Sequence, residues 1–221
     1  YLPEAMRNYL CLLGWAPKGD REIVPVEVMV EEFDLGDVQK SSAFFDVVKL
    51  NHFNGEYIRS LPLDDFVARC EPFLADAGGR SWPKERFEHA AFRAIAPLVQ
   101  ERISRLDEVS GMVDFLFVDE VSFDEAVLAK VLADEKAMAV LADAIAEYAS
   151  VPEWTAAALH ALTGEIGERH GLKLGKAQAP VRLAVTGRKV GPPLFEALEI
   201  LGRDVVLGRL RRLRATSSAS A

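Results

Sequence analysis

Apolar positions recur along most of this chain with a helical period. Leu2, Met6, Tyr9, Leu10 and Leu13 are spaced by three and four, Pro3 stands where a first-turn N–H has no partner to lose, and Gly14 closes the run, so a helix is expected over Leu2–Leu13. Residues 23–30, IVPVEVMV, are ambiguous. Val24, Val26, Val28 and Val30 alternate as on a strand, yet Pro25 also suits the first turn of a helix running to Phe33. Residues 41–49 read as a loop leading into KLNHFNGEYIR (49–59), where Phe53, Tyr57 and Leu61 share one helix face. From Pro62 to Ala77 an apolar face of Leu63, Phe66, Val67, Cys70, Phe73 and Leu74 is stopped by Gly78-Gly79. The next helix is expected to start at Pro83 and carry Phe87, Ala91, Ile95, Leu98, Val99, Ile103 and Leu106, kinked at Pro97. In the acidic, aromatic run DFLFVDEVSFDE (114–125), Phe115 and Phe117 are assigned to the core and the carboxylates to a solvated loop. Helices follow over Asp124–Leu132, Glu135–Ala149, Trp154–His170, Gly175–Val185, Pro193–Leu201 and Arg203–Leu213, punctuated by Pro152, Gly171, Gly187 and Gly191-Pro192-Pro193. Strand signals are nearly absent after residue 31, and Thr216–Ala221 reads as a disordered polar tail.

Composition narrows the class. With 221 residues, half of them apolar, the chain can bury a sizeable core in one or two domains. No apolar run is long enough to span a membrane, the first residues lack the features of a signal peptide, and a start at Tyr1 is expected of a cut fragment. Cys11 and Cys70 fall on predicted buried faces, which fits free thiols in a reducing compartment and hence the cytoplasm. His52, His89, His160 and His170 have no paired ligand spacing, so no metal is expected. Glu165 and Glu168 between the last two do not make the HExxH pattern, Asp119-Glu120 sits in aromatic surroundings, and no GxGxxG is present, leaving no constellation that supports turnover. The net charge of −8 argues against undirected nucleic-acid binding, but it is polarised. Residues 1–164 hold 15 Lys/Arg against 29 Asp/Glu, net −14, while residues 165–221 hold 11 against 5, net +6. The C-terminal quarter is thus the part suited to an anionic partner.

Within KLNHFNGEYIR, Lys49, Asn51, Asn54 and Arg59 add donors that packing does not require and that could reach an anionic surface; the plainer reading is a solvated polar face. The segment resembles the Lys-Leu-Asn-x-x-Asn-x-x-Tyr-Ile-Arg stretch of bacterial-type glutamyl-tRNA synthetases. LPEAMRNYLCLLGW (2–15) is similar to the segment that follows their ATP-site signature loop. A third match joins Leu172–Gly175, Ala179–Gly187 and Pro192–Glu196 to the family's Lys-x-Gly, Pro-x-Arg-x-Ala-x-Thr-Gly and Pro-x-Leu-Phe-Glu pattern, and the three occur in the family's order.

The resemblance implies an all-α fold, including a helix over residues 25–33. It implies a stem-contact region over 1–62, then an anticodon-binding region in two subdomains, 63–118 and 119–215, with a tail at 216–221. It places Lys49, Asn51, Asn54 and Arg59 near the inner tRNA backbone, gives Arg102 the last anticodon base, and turns Arg182, Gly191, Pro192 and Leu194 toward the anticodon loop, with Leu194 packing on a base. Arginine suits such readout because its planar fork both stacks and donates. The plainer reading of Arg102 is a surface arginine paired with Glu101 or Asp107, and that of the Gly-Pro-Pro turn is a helix connector. The whole family enzyme attaches glutamate to tRNA with ATP and Mg²⁺. Since neither His-Ile-Gly-His nor Lys-Met-Ser-Lys-Ser occurs here, the fragment is expected to hold neither cofactor and to catalyse nothing. The implied partner is tRNA(Glu), with tRNA(Gln) as a second candidate, for a monomer joined to an upstream catalytic domain. The rival is a helical structural or protein-interaction module without RNA binding, which the acidic total favours and which would require the basic residues of 173–189 to be buried in ion pairs.

Overall fold

Side-chain oxygens stand where helices need their first N–H groups satisfied. Asp46 accepts from the backbone of Val48 and Lys49, Asp124 from Val127, Asp134 from Lys136 and Ala137, and Thr155 from Ala158. The computed structural model describes residues 1–19, 21–39, 43–75 and 82–219, with side chains through Thr216. Its helices are α1 (Pro3–Leu12), α2 (Val26–Glu32), α3 (Val47–Ser60), α4 (Leu63–Ala75), α5 (His89–Gln100) and α6 (Val109–Val113), then α7 (Glu125–Leu132), α8 (Glu135–Ser150), α9 (Ala156–Arg169), α10 (Leu174–Thr186), α11 (Leu194–Leu201) and α12 (Arg203–Ala219). Among the described residues there is no strand, so the fold is all-α.

The ambiguous valines of 23–30 resolve as helix. Pro25 keeps its fixed φ, −58°, just before α2 and its carbonyl accepts from Met29, so the proline sets the entry and Val24 is left buried. Pro83 does not open an α-helix: residues Lys84–Arg86 make a 3₁₀ turn and α5 begins at His89, while Phe87 turns into a cluster with Trp82 and Phe117, ring centroids 5.3 Å (Trp82–Phe117) and 5.0 Å (Phe87–Phe117) apart. The glycine stop expected at Gly78-Gly79 lies outside the described residues. At the other end α12 continues to Ala219, so the described part of the expected tail is helical.

The chain divides into two compact units, Tyr1–Gly79 with Ala96–Gly111, and Arg80–Ile95 with Met112–Ala221. In the first, Tyr9, Leu50 and Phe53 join α1 to α3, and Trp15, Val24 and Met29 form a second nucleus with α2. Burying one such side chain stabilises by about 1.5–3 kcal/mol. Three buried amides stitch these helices together. Asn8 Oδ1 accepts from the Val24 N–H and the Tyr57 hydroxyl, each at 2.8 Å, and its Nδ2 donates to Glu22 O at 2.9 Å. Asn54 binds both the start of the chain's first helix and the 104 turn, and Gln100 Nε2 donates to Ile58 O and Leu61 O, each at 2.8 Å, closing the end of α3.

The second unit is a helical bundle in which Val140, Tyr148, Ile166, Val181, Leu198 and Leu210 interdigitate from α8 to α12. Tyr148 and Thr163 share a buried hydroxyl contact of 2.6 Å, and burial pushes the Tyr148 phenol up to about 12. Trp154 donates its indole N–H to Leu198 O at 2.9 Å.

Both thiols are free, but of the two faces expected to be buried only that of Cys70 is. Cys70 is fully buried and desolvation pushes its thiol up to about 12; Cys11 is partly exposed and is raised by the same cause. Thiolate is the reactive species, so mapping of iodoacetamide adducts on the folded protein at pH 8 is expected to find Cys11 and to find Cys70 only after denaturation. Equal labelling of the two in the folded state would contradict this packing.

Candidate nucleic-acid interface

In the first unit, α3 carries Lys49, which is exposed, and Asn51 and Arg59, which are partly exposed. Lys49 Nζ lies 2.9 Å from Glu22 Oε1 and 5.4 Å from the centre of the Phe53 ring, and this lysine holds the Glu22 carboxyl below the usual carboxylate range. Asn51 Oδ1 accepts from the Tyr1 hydroxyl at 2.7 Å. Arg59 folds back along its own helix to Glu56, 2.7 Å away, across Gly55, where an added Cβ would come within 3.2 Å of the guanidinium. These ion pairs are half-exposed and correspondingly weak.

Asn54 is corrected from a surface donor to an interior one. It is 0% exposed; its Oδ1 accepts from the Leu2 N–H at 2.7 Å and its Nδ2 donates to Ser104 O at 2.5 Å. With both ends of the amide engaged by backbone, it holds the fold and reaches no partner. Arg102 lies in the turn after α5, where its Nη1 donates to Leu98 O at 2.9 Å. Of the two acids offered as its partners, Glu101 and Asp107, the latter is taken by Arg105 at 2.9 Å.

In the second unit the sequence candidates converge on one turn. α10 ends at Thr186, Gly187 adopts φ +73°, and α11 starts at Leu194 after Pro193. Arg182 Nη1, from α10, donates to Pro192 O at 2.8 Å, and the Cβ position of Gly191 lies 3.7 Å from the same atom. Arg182, Gly191 and Pro192 are thus brought together, and two prolines stiffen the return. The tip is exposed at Lys189 and at Val190, 79% accessible. Leu194 is corrected: at 2% exposure it sits in the bundle core, anchoring the turn rather than offering a face to a base. Pro192 is buried as well, with its carbonyl occupied by Arg182.

The run after α6 also differs from a freely solvated acidic loop. Asp114 pairs with Arg188, Asp119 with Arg86 at 2.7 Å, and Glu120 with Arg212 at 3.3 Å. Phe115 and Phe117 are buried, as their pattern required. Arg209 is buried too, its guanidinium donating to Val185 O and Val118 O, each at 2.7 Å, and desolvation lowers its pKa. The signal was present: Arg209 interrupts the apolar stripe of Val206, Leu210 and Leu213, where a solvated arginine would not stand.

These features define an all-α scaffold that presents cations around a braced turn; among its described residues, no group of three or more His, Cys, Asp or Glu is placed to hold a metal ion, and no helix is long and apolar enough to cross a membrane. The chain belongs to the anticodon-binding domain family, whose model matches residues 65–214. It is similar over 217 residues to the glutamate–tRNA ligase of Salinispora arenicola, with 54% identity, 97% of this chain and 46% of that protein covered. The glutamate–tRNA ligase of Frankia casuarinae is also 54% identical, over 97% of this chain and 45% of its own length. Among solved structures, a glutamate tRNA ligase from Elizabethkingia meningosepticum, crystallised in complex with its amino acid, matches with a TM-score of 0.80 at 27% identity, covering 98% of this chain and 41% of that one. The chain therefore spans less than half the length of these relatives.

Proposed function

We propose that this chain is the tRNA-contacting, anticodon-recognising part of a glutamate–tRNA ligase. The observation that carries the reading is the braced 187–193 turn, with Arg182 fastened beneath it and Lys189 and Val190 at its tip, in a chain of the anticodon-binding domain family. Single-stranded loops are read by stiff platforms that offer planar or apolar groups beside cations, and this turn has that form. Of the basic residues of 173–189, Arg188 pairs with the largely buried Asp114, but Lys173, Lys176 and Lys189 are exposed, which speaks against a helical interaction module that has lost its RNA.

In this reading tRNA(Glu) is the ligand. Lys49, Asn51 and Arg59 meet its backbone, since phosphate can replace Glu22 or Glu56 at little cost when an exposed pair contributes only about 0.2–1 kcal/mol. Arg102 reads the last anticodon base, the position on which acceptance of tRNA(Gln) as a second ligand would depend. The activation of glutamate with ATP and Mg²⁺ is assigned to the part of the ligase outside this span, and the protein acts as a cytoplasmic monomer.

Fluorescence titration of the ligase with tRNA(Glu) is expected to show binding that weakens as salt rises. Arg182→Ala should weaken it by about 10-fold, and Arg102→Ala should cut discrimination against a tRNA(Glu) altered at the last anticodon base by about 10-fold, the scale of one lost base or phosphate contact. Binding no tighter than that of an unrelated tRNA at low salt would sink the reading. Unchanged discrimination in Arg102→Ala would remove that residue alone.

A further inference from the structure

A carboxylate beside a turn that meets RNA ought to repel the ligand, yet three contacts lock the acidic 114–122 segment onto this turn. Arg188 Nη2, the first side chain after Gly187, donates to Asp114 Oδ2, and that carboxylate is only 15% exposed. Gly187 abuts the same segment so closely that a Cβ there would lie 2.1 Å from Ser122 O. Arg209 spans the two from below, donating to Val118 O and to Val185 O, two residues before Gly187. Each contact involves a different residue of the segment, and all of them fix the C-terminal end of α10, from which the turn departs.

We infer that Asp114 is a positioning residue for anticodon recognition: by holding Arg188 it fixes the 187–193 turn in the one orientation that accepts the matching anticodon loop. The inference rests on the anticodon role proposed above for that turn. Its consequence opposes simple electrostatics. Were Asp114 only a nearby negative charge, its removal would tighten every RNA alike. As a positioning group, its removal frees the turn and the Arg188 guanidinium, so the matching tRNA binds less well while mismatched RNA is held as well or better.

The test uses the full-length ligase with tRNA(Glu) and a tRNA(Glu) transcript carrying an altered anticodon. Asp114→Asn keeps the side chain's size and the acceptor that takes the Phe115 N–H at 2.7 Å, and removes the charge. It is expected to lower the affinity ratio of the two RNAs by about 5–10-fold, with Arg188→Gln lowering it by a similar factor and the double variant no worse than the poorer single one, as for two groups acting through one contact. Asp114→Glu should recover part of the ratio. A ratio unchanged in Asp114→Asn, equal tightening of both RNAs, or single effects that multiply in the double variant would overturn the inference. Arg188 is half-exposed and its replacement should leave melting near that of the parent, so a poorly folded Asp114→Asn still leaves the Arg188 arm to decide. A parent ligase with a ratio of one would instead overturn the anticodon role itself.

Discussion

Replacing Gly187 with alanine is expected to destabilise the second unit by about 4 kcal/mol, from a left-handed backbone forced on a residue with a Cβ and from a collision that side-chain motion cannot relieve. The residue stands at φ +73°, and the new methyl would lie 2.1 Å from Ser122 O, a backbone atom. Either the 114–122 segment or the end of α10 must shift, and both are tied by Arg209 and by the Arg188–Asp114 pair. A loss of this size from one methyl group is exceptional, which makes it a sharp check on the close approach. Gly164→Ala is the companion. That glycine lies inside α9 with nothing within 4 Å of its Cβ position, so the same substitution should stabilise by about 0.5–1 kcal/mol. Thermal melts of the two variants are expected to move in opposite directions; a Gly187→Ala protein melting within a degree or two of the parent would show that the turn does not sit against Ser122 as described.

The contrast between these glycines shows what the amino-acid pattern could and could not convey. Gly187 was recognisable as a helix stop, but its nearest neighbour is more than sixty positions upstream, and no local period reports such a contact. The same division runs through KLNHFNGEYIR. The spacing of Phe53, Tyr57 and Leu61 predicts one helix face; Phe53 is fully buried, while Tyr57 and Leu61, the latter just past the end of α3, are partly buried. Asn54 lies on that face too, and a polar residue at an apolar position has two readings, a surface donor on a rotated helix or an interior hydrogen-bonding group, which only its partners separate. Those partners, Leu2 and Ser104, are each about fifty residues away. Helical pattern and proline placement therefore carried nearly all of the architecture. Where local signals competed, as in the valines of α2, the residues left strand and helix open and the family resemblance pointed to the helix that forms. Long-range polar pairing was the illegible part: it turned the acidic 114–120 run from a solvated loop into a partner of Arg86, Arg188 and Arg212. For the turn itself, Leu194 could have been assigned to the core from its spacing with Ala197 and Leu198, and the family pattern drew it outward instead.

Asn54→Leu separates the two readings of that motif most directly. Leucine keeps the branching of asparagine but is bulkier and cannot hydrogen-bond, so the Leu2 N–H and the Ser104 carbonyl lose their partner inside the protein and some overpacking is added. An unsatisfied buried group costs about 1–3 kcal/mol, so the pair should cost about 2–6 kcal/mol. Asn51→Ala, which loses the exposed hydrogen bond from the Tyr1 hydroxyl, should change stability by less than about 0.5 kcal/mol. If Asn54 met RNA, the order would reverse in binding: Asn54→Leu would melt like the parent and bind tRNA(Glu) more weakly. The interior role expects the melt to fall steeply and the protein that remains folded, at low temperature, to titrate tRNA(Glu) with the parent's affinity, because the helix surface carrying Lys49 and Arg59 is untouched.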